Sequence, residues 1–187
     1  MELGILRVGQ VGFGVVERLQ ENLATIFPDT TVTLAVRPMP IPEEAFDEDR
    51  RQYLSNFILG KILTYAGRKK ELDRVLGVTN VDICVQELNF VFGEAEHPGK
   101  AALISMWRLR PEFYGKTPNT ELLIERATKE AVHEIGHTLG LQHCSNPFCV
   151  MYFSNSIFET DRKQSLFCSK CQSKIENTEK NKVESLE

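Results

Sequence analysis

Three histidines at fixed spacing constrain this chain more than any other feature. His133-Glu134-Ile135-Gly136-His137-Thr138-Leu139-Gly140-Leu141-Gln142-His143 reads as H-E-x-x-H-x-x-G-x-x-H, and Cys144 follows at once. His133 and His137, four apart on a helix, lie about 40° from each other around its axis, so both rings can serve one metal. His143 cannot join them if the helix continues, because ten residues bring a rotation of about 280° and a rise of about 15 Å. The chain must turn, and Gly140 is where it can, since glycine tolerates φ > 0 at a helix end.

Seven of the nine histidines and cysteines fall between His133 and Cys171. Three neutral imidazoles leave a fourth position on zinc for water, the open arrangement of a catalytic site. Zinc acidifies that water and polarises a carbonyl, while Glu134, beside the histidines, takes the proton and hands it to a leaving amine. The chemistry points to amide hydrolysis by a zinc metallopeptidase. Three surface histidines on an ordinary helix are the plain alternative, and five fixed residues in eleven disfavour it. His97, in a Gly/Pro loop, reads as solvated.

Cys144, Cys149, Cys168 and Cys171 are the inventory of a closed, structural zinc site. Two disulfides compete with that reading, as does a redox pair at Cys168-x-x-Cys171. Cys84 falls in an apolar strand, where a cysteine acts as a small hydrophobe. Because Cys144 adjoins His143, a metal clamped by the thiols would also fix the third histidine. The expected complement is two zinc ions per chain, one catalytic and one structural.

At 187 residues, with 42% apolar and 26% charged residues, the sequence fits one soluble α/β domain. A net charge of −4 gives no drive toward nucleic acid or an anionic membrane, and no apolar run is long enough to span one. The start lacks the pattern of a signal peptide, and thiols at metal spacing fit a reducing compartment, so a cytoplasmic location is expected. The basic run Arg68-Lys69-Lys70 is too short for nucleic acid. Gly9-x-x-Gly12-x-Gly14 has the wrong order for a dinucleotide fingerprint and reads as a tight turn.

Periodicity predicts a strand at 3–8, a helix at 12–23 and a strand at 30–37, joined as a parallel crossover. A helix is expected over 47–65, a central strand at 81–85, and a pair of strands at 88–92 and 101–106 around the loop 93–100. Thr117-Pro118 reads as the start of a helix running to about Gly140, with an apolar stripe through Ile124, Ala127, Ala131 and Ile135 that leaves the histidines facing a cleft. The expected division is a single catalytic domain over 1–187: an α/β subdomain over 1–140, a small irregular lobe over 141–176 and a flexible tail over 177–187. A short last helix is expected at 165–175.

The histidine motif resembles that of the metzincin clan of zinc peptidases. Cys144, the run Cys149-Val150-Met151 and the late C-x-x-C narrow the resemblance to the archaemetzincins. It implies a metzincin-like mixed, twisted sheet with an active-site helix and a zinc-stabilised C-terminal lobe. It also implies that Met151 is the methionine of a Met-turn beneath the metal, and that an edge strand, placed near 90–93, receives an extended peptide. Some metzincins carry a tyrosine two residues after that methionine; here the position is Phe153, with Tyr152 beside it.

The substrate expected is a peptide or unfolded protein segment. Aminopeptidase and endopeptidase action both stay open, with Glu94 or Glu96 as a conceivable anchor for a substrate α-amine. A peptide-binding adaptor with a retained but weakly active metal site, and a redox sensor using Cys168 and Cys171, are the rival readings. Oligomeric state is not legible.

Overall fold

A computed structural model describes residues 1–184, with side chains through 177. The crossover comes first: β1 (Glu2–Val8), α1 (Phe13–Ile26) and β2 (Thr31–Leu34), with β1 and β2 parallel. Two short strands follow, β3 (Phe46–Asp47) and β4 (Gln52–Leu54), then α2 (Ser55–Arg68). The helix expected over 47–65 thus begins eight residues late. Tyr53 and Leu54 instead pair with β6 (Ile83–Cys84) in a small three-stranded sheet.

The main sheet has the order β2-β1-β5-β8-β7, where β5 is Arg74–Thr79, β7 is Gly93–Ala95 and β8 is Ala101–Ser105. All neighbours are parallel except β7, which runs antiparallel along β8. The expected central strand at 81–85 is therefore wrong. Residues 83–84 belong to the small sheet, and the true centre is β5, whose polar ends and Gly77 hide its apolar run. The hairpin is shifted too, since residues 93–95, expected as loop, form the edge strand.

Side-chain alternation explains the layers. Leu3 and Ile5 of β1, Leu76 and Val78 of β5, and Ala102 and Ile104 of β8 face the core under α1 and α3 (Thr120–Thr138). Leu6, Val8, Val75, Ala101 and Leu103 face α2 on the other side, against Ile58 and Ile62. Strands buried on both faces read as continuous apolar runs, as these do.

Helix α3 is capped by Asn119, whose side chain accepts from the Leu122 N–H, rather than by Thr117. Its second half keeps no face in open solvent: His133 and Glu134 are buried along with Ala131. What covers them is the chain after the motif, including α4 (Ile157–Arg162), which starts with a reciprocal Ser156–Glu159 capping box. Leu141, Val150, Met151 and Ile157 join the same core as the sheet. The last helix, α5 (Ser169–Glu184), continues through most of the expected tail, and residues 185–187 lie outside the described residues.

Helices α3 and α4 are joined by charge. Arg126, 1% exposed, donates through Nε and Nη2 to both carboxylate oxygens of Asp161 at 2.7 Å, and through Nη1 to the Leu109 carbonyl. Fully buried Lys163 pairs with Glu130 at 3.0 Å, and Thr160 donates to the same carboxylate. Removing one partner of a buried pair strands the other charge. Asp161→Ala is therefore expected to cost about 3 kcal/mol in urea unfolding at fixed zinc concentration. An unchanged midpoint would mean that Arg126 finds water instead.

Candidate active site

The turn required at Gly140 is present. Gly140 has φ +92°, its N–H donates to the His137 carbonyl, and the Leu141 N–H donates to the Gly136 carbonyl. This paired closure, with a left-handed glycine after the last helical turn, is the Schellman arrangement. It reverses the chain so that His143 returns to the helix: its ring centroid lies 5.3 Å from that of His133 and 4.8 Å from that of His137.

Backbone carbonyls orient two of the rings. Nδ1 of His133 donates to the Val150 carbonyl at 2.7 Å, and Nδ1 of His137 to the Leu141 carbonyl at 2.8 Å. A carbonyl can only accept, so these bonds fix the tautomer and leave each Nε2 with its lone pair. The two Nε2 atoms are 3.1 Å apart. Two lone pairs at that distance repel unless a cation lies between them, and tetrahedral zinc–nitrogen bonds would put ligand nitrogens about 3.3 Å apart. Donor atoms of all three histidines lie within 4.8 Å of one another. The set fits zinc.

Electrostatics favour the neutral, ligating rings. Burial, then the Lys163 ammonium, holds His133 well below the ordinary histidine range. Burial brings His137 down to about 4, and burial with Lys163 lowers His143. Glu134 moves the other way: burial, then the Glu130 carboxylate one helical turn earlier, pushes it well above the usual carboxylate range.

The thiols gather as well. Sulfurs of Cys144, Cys149, Cys168 and Cys171 lie within 4.8 Å of one another. Cys144 and Cys168 are 3.8 Å apart, nearly twice a disulfide bond but close to the separation set by tetrahedral zinc–sulfur bonds. All five cysteines are free, so the two-disulfide alternative is not the arrangement found; Cys84 is buried in its strand.

Two cavities meet at the histidines. One of about 210 Å³ lies between residues 88–93 and 153–155, with Phe90, Phe92, Glu130 and Ser154 in its lining. A more open one of about 560 Å³ is lined by Glu94, His97, His137, Gln142 and His143. Gly93, His133, Glu134 and Phe153 border both. His97 is exposed as expected, yet its ring lies 5.7 Å from that of His137, at the rim of the site. Glu96 is engaged by its own loop, accepting from the Lys100 N–H, whereas Glu94 lines the open cavity. The Phe153 ring lies 4.8 Å from the His143 ring, tilted by 49°, and has no hydroxyl to offer.

Sequence reasoning missed Glu130, Lys163 and Gly93. The four-residue spacing of Glu130 and Glu134 was a visible signal, but the partner Lys163, just after α4, was not. Met151 does lie beneath the helix, where any side chain at Gly136 would strike its sulfur.

A mixed sheet with an antiparallel edge strand, beside a helix that carries two of three clustered histidines, is the architecture of a metzincin-type zinc metallopeptidase. The profile of Peptidase family M54 matches residues 10–177. An archaemetzincin of Methanocaldococcus jannaschii is 46% identical over 95% of this chain and 94% of its own. The crystal structure of archaemetzincin from Methanopyrus kandleri superposes with a TM-score of 0.81 at 38% identity, covering 96% of each chain. A zinc-dependent peptidase from Methanocorpusculum labreanum gives a TM-score of 0.84 at 31% identity, over 92% of this chain and 99% of that one. The chain belongs to peptidase family M54, the archaemetzincins, and is a zinc metallopeptidase.

The two clusters share a backbone. The Cys144 N–H donates to the Met151 carbonyl at 2.9 Å, one residue from the Val150 carbonyl that orients His133. Cys168→Ser is therefore expected to weaken metal retention at the histidines roughly 10- to 100-fold, as loss of supporting groups does elsewhere. Competition with a zinc chelator reads this, and native retention in the variant would uncouple the clusters.

Proposed function

We propose that this chain hydrolyses peptide bonds at a zinc ion held by His133, His137 and His143, with Glu134 as general base. Cys144, Cys149, Cys168 and Cys171 hold a second, structural zinc. The observation that carries the reading is the convergence of oriented Nε2 lone pairs beside a buried carboxylate of raised pKa. Zinc held there polarises a substrate carbonyl and acidifies water.

The chain's own residues do the rest. Strand β7 has β8 on one side and no strand on the other among the described residues, so an extended peptide can pair along it. That recognises main chain, which suits peptides and unfolded segments. Glu134, at the junction of the cavities, takes the proton of the attacking water and returns it to the leaving amine. Its burial makes it a stronger base than a solvated glutamate, and the Lys163 ammonium offsets the charge of Glu130 behind it. Free thiols at metal spacing suit a reducing compartment, which favours the cytoplasm. No helix among the described residues is long and apolar enough to cross a membrane.

Protein purified without chelators or affinity-tag metals is expected to carry two zinc ions per chain. Glu134→Ala should keep both and lose roughly 100- to 10,000-fold in kcat on a peptide that the native protein cleaves. A native rate in that variant would remove Glu134 as the base. Full metal content with no peptidase activity in the native protein would favour the adaptor. Zinc release by mild peroxide, reversed by thiol, would favour the redox sensor.

A further inference from the structure

The Glu134 carboxylate rests against bare backbone. It lies where the two cavities join, and the wall beside it is Gly93, the first residue of edge strand β7. A Cβ built at Gly93 would stand 2.6 Å from both Cγ and Oε1 of Glu134, and 2.7 Å from the Leu103 carbonyl oxygen. Carbon atoms in contact need roughly 3.5 Å, so the carboxylate would have to retreat by about 1 Å.

Neither wall of this gap can easily give way. Gly93 is held in register opposite Ile104 of β8, and the Ser105 N–H donates to the Phe92 carbonyl at 2.8 Å. Helix α3 is held by Ala127, Ala131 and Ile135 in the core beneath the sheet. The backbone at Gly93 does not itself call for glycine, because its φ lies outside the left-handed region that marks Gly9, Gly115 and Gly140. Ala95, two residues along the same strand, carries a methyl group packed on the core. Space, rather than conformation, excludes a side chain at 93.

We propose that Gly93 is a positioning residue for the hydrolysis: its bare Cα forms the slot that seats the Glu134 carboxylate between the two cavities. A peptide paired along β7 would then present its scissile bond where that carboxylate sits. The idea rests on Glu134 as the general base. It adds that the edge strand which receives substrate also sets the base's position, so that binding and proton transfer share one ruler.

The test uses the zinc-loaded full chain and an internally quenched peptide drawn from those the native protein cleaves. Gly93→Ala is expected to keep both zinc ions, change KM by no more than about twofold, and lower kcat roughly 100-fold, the scale of a 1 Å misplacement. Its crystal structure should show the carboxylate displaced from the strand. Adding Gly93→Ala to Glu134→Ala should cost nothing further, because the group it displaces is gone. A native kcat in Gly93→Ala, or an equal loss in the Glu134→Ala background, would overturn the assignment. A native rate in Glu134→Ala alone would instead sink the general-base reading beneath it. Should Gly93→Ala fail to fold, Gly93→Ala/Glu134→Ala decides. Alanine at 134 removes both crowded atoms, Cγ and Oε1, so recovered folding supports the slot, and continued unfolding assigns Gly93 to the Leu103 contact alone.

Discussion

The three residues Cys149, Val150 and Met151 hold the site together. The Val150 carbonyl fixes the tautomer and direction of His133, and the Met151 carbonyl takes the N–H of Cys144, whose neighbour is His143. Cys149 contributes its sulfur to the thiol cluster, while the Met151 thioether lies against Gly136, between the two helical histidines. One short turn therefore supplies a thiol, bonds the His133 ring and holds the residue next to His143. A metal in the thiols would stiffen that turn, and the turn orients the Nε2 lone pair of His133. Cross-links of this kind matter most where the chain is irregular, since loop residues lack the repeating hydrogen bonds that fix a helix.

Burying the histidine helix creates an electrostatic problem that α4 and the lysine just after it solve. A helix carrying Arg126, Lys129, Glu130, His133 and Glu134 would ordinarily keep those residues in water, because a buried unpaired charge is costly. Here Asp161 meets Arg126, and Lys163 and Thr160 meet Glu130. Glu134 alone is left without a countercharge of its own, and it is the group whose basicity the proposed hydrolysis would use. Pairing every charge but one concentrates the effect of burial on that one, a common signature of functional sites.

The site was legible in the sequence because metal ligation is a demand on residue type and spacing. The histidine motif fixed a helix, a turn at Gly140 and three convergent rings, and all three are found. The parallel crossover from β1 to β2 was legible from period alone. Strand β5 was not, since a six-residue run with Gly77 in its middle and arginine at its start carries little periodic signal. The edge strand was displaced for a similar reason: Gly93-Glu94-Ala95 has poor strand propensity and is held by pairing with β8. The pairing of the charged residues on α3 was not legible, because their partners lie some thirty residues later, in and just after a helix of only six residues. Tertiary burial overrode the local pattern.

The three histidines are not equally secured, and this orders how the site responds to perturbation. His133 and His137 ride on α3, whose position the sheet determines, and both have carbonyl partners at Nδ1. His143 is exposed, lies beyond the helix, and is steadied by the Phe153 ring on one side and by Cys144 next to it in the chain. Its placement is inherited from the lobe that follows. The thiol cluster thus stands in for the helical backbone at the one histidine that cannot have it. Gly140 is what makes the substitution necessary: by ending the helix so that a third imidazole can return, it releases that imidazole from the element which holds the other two.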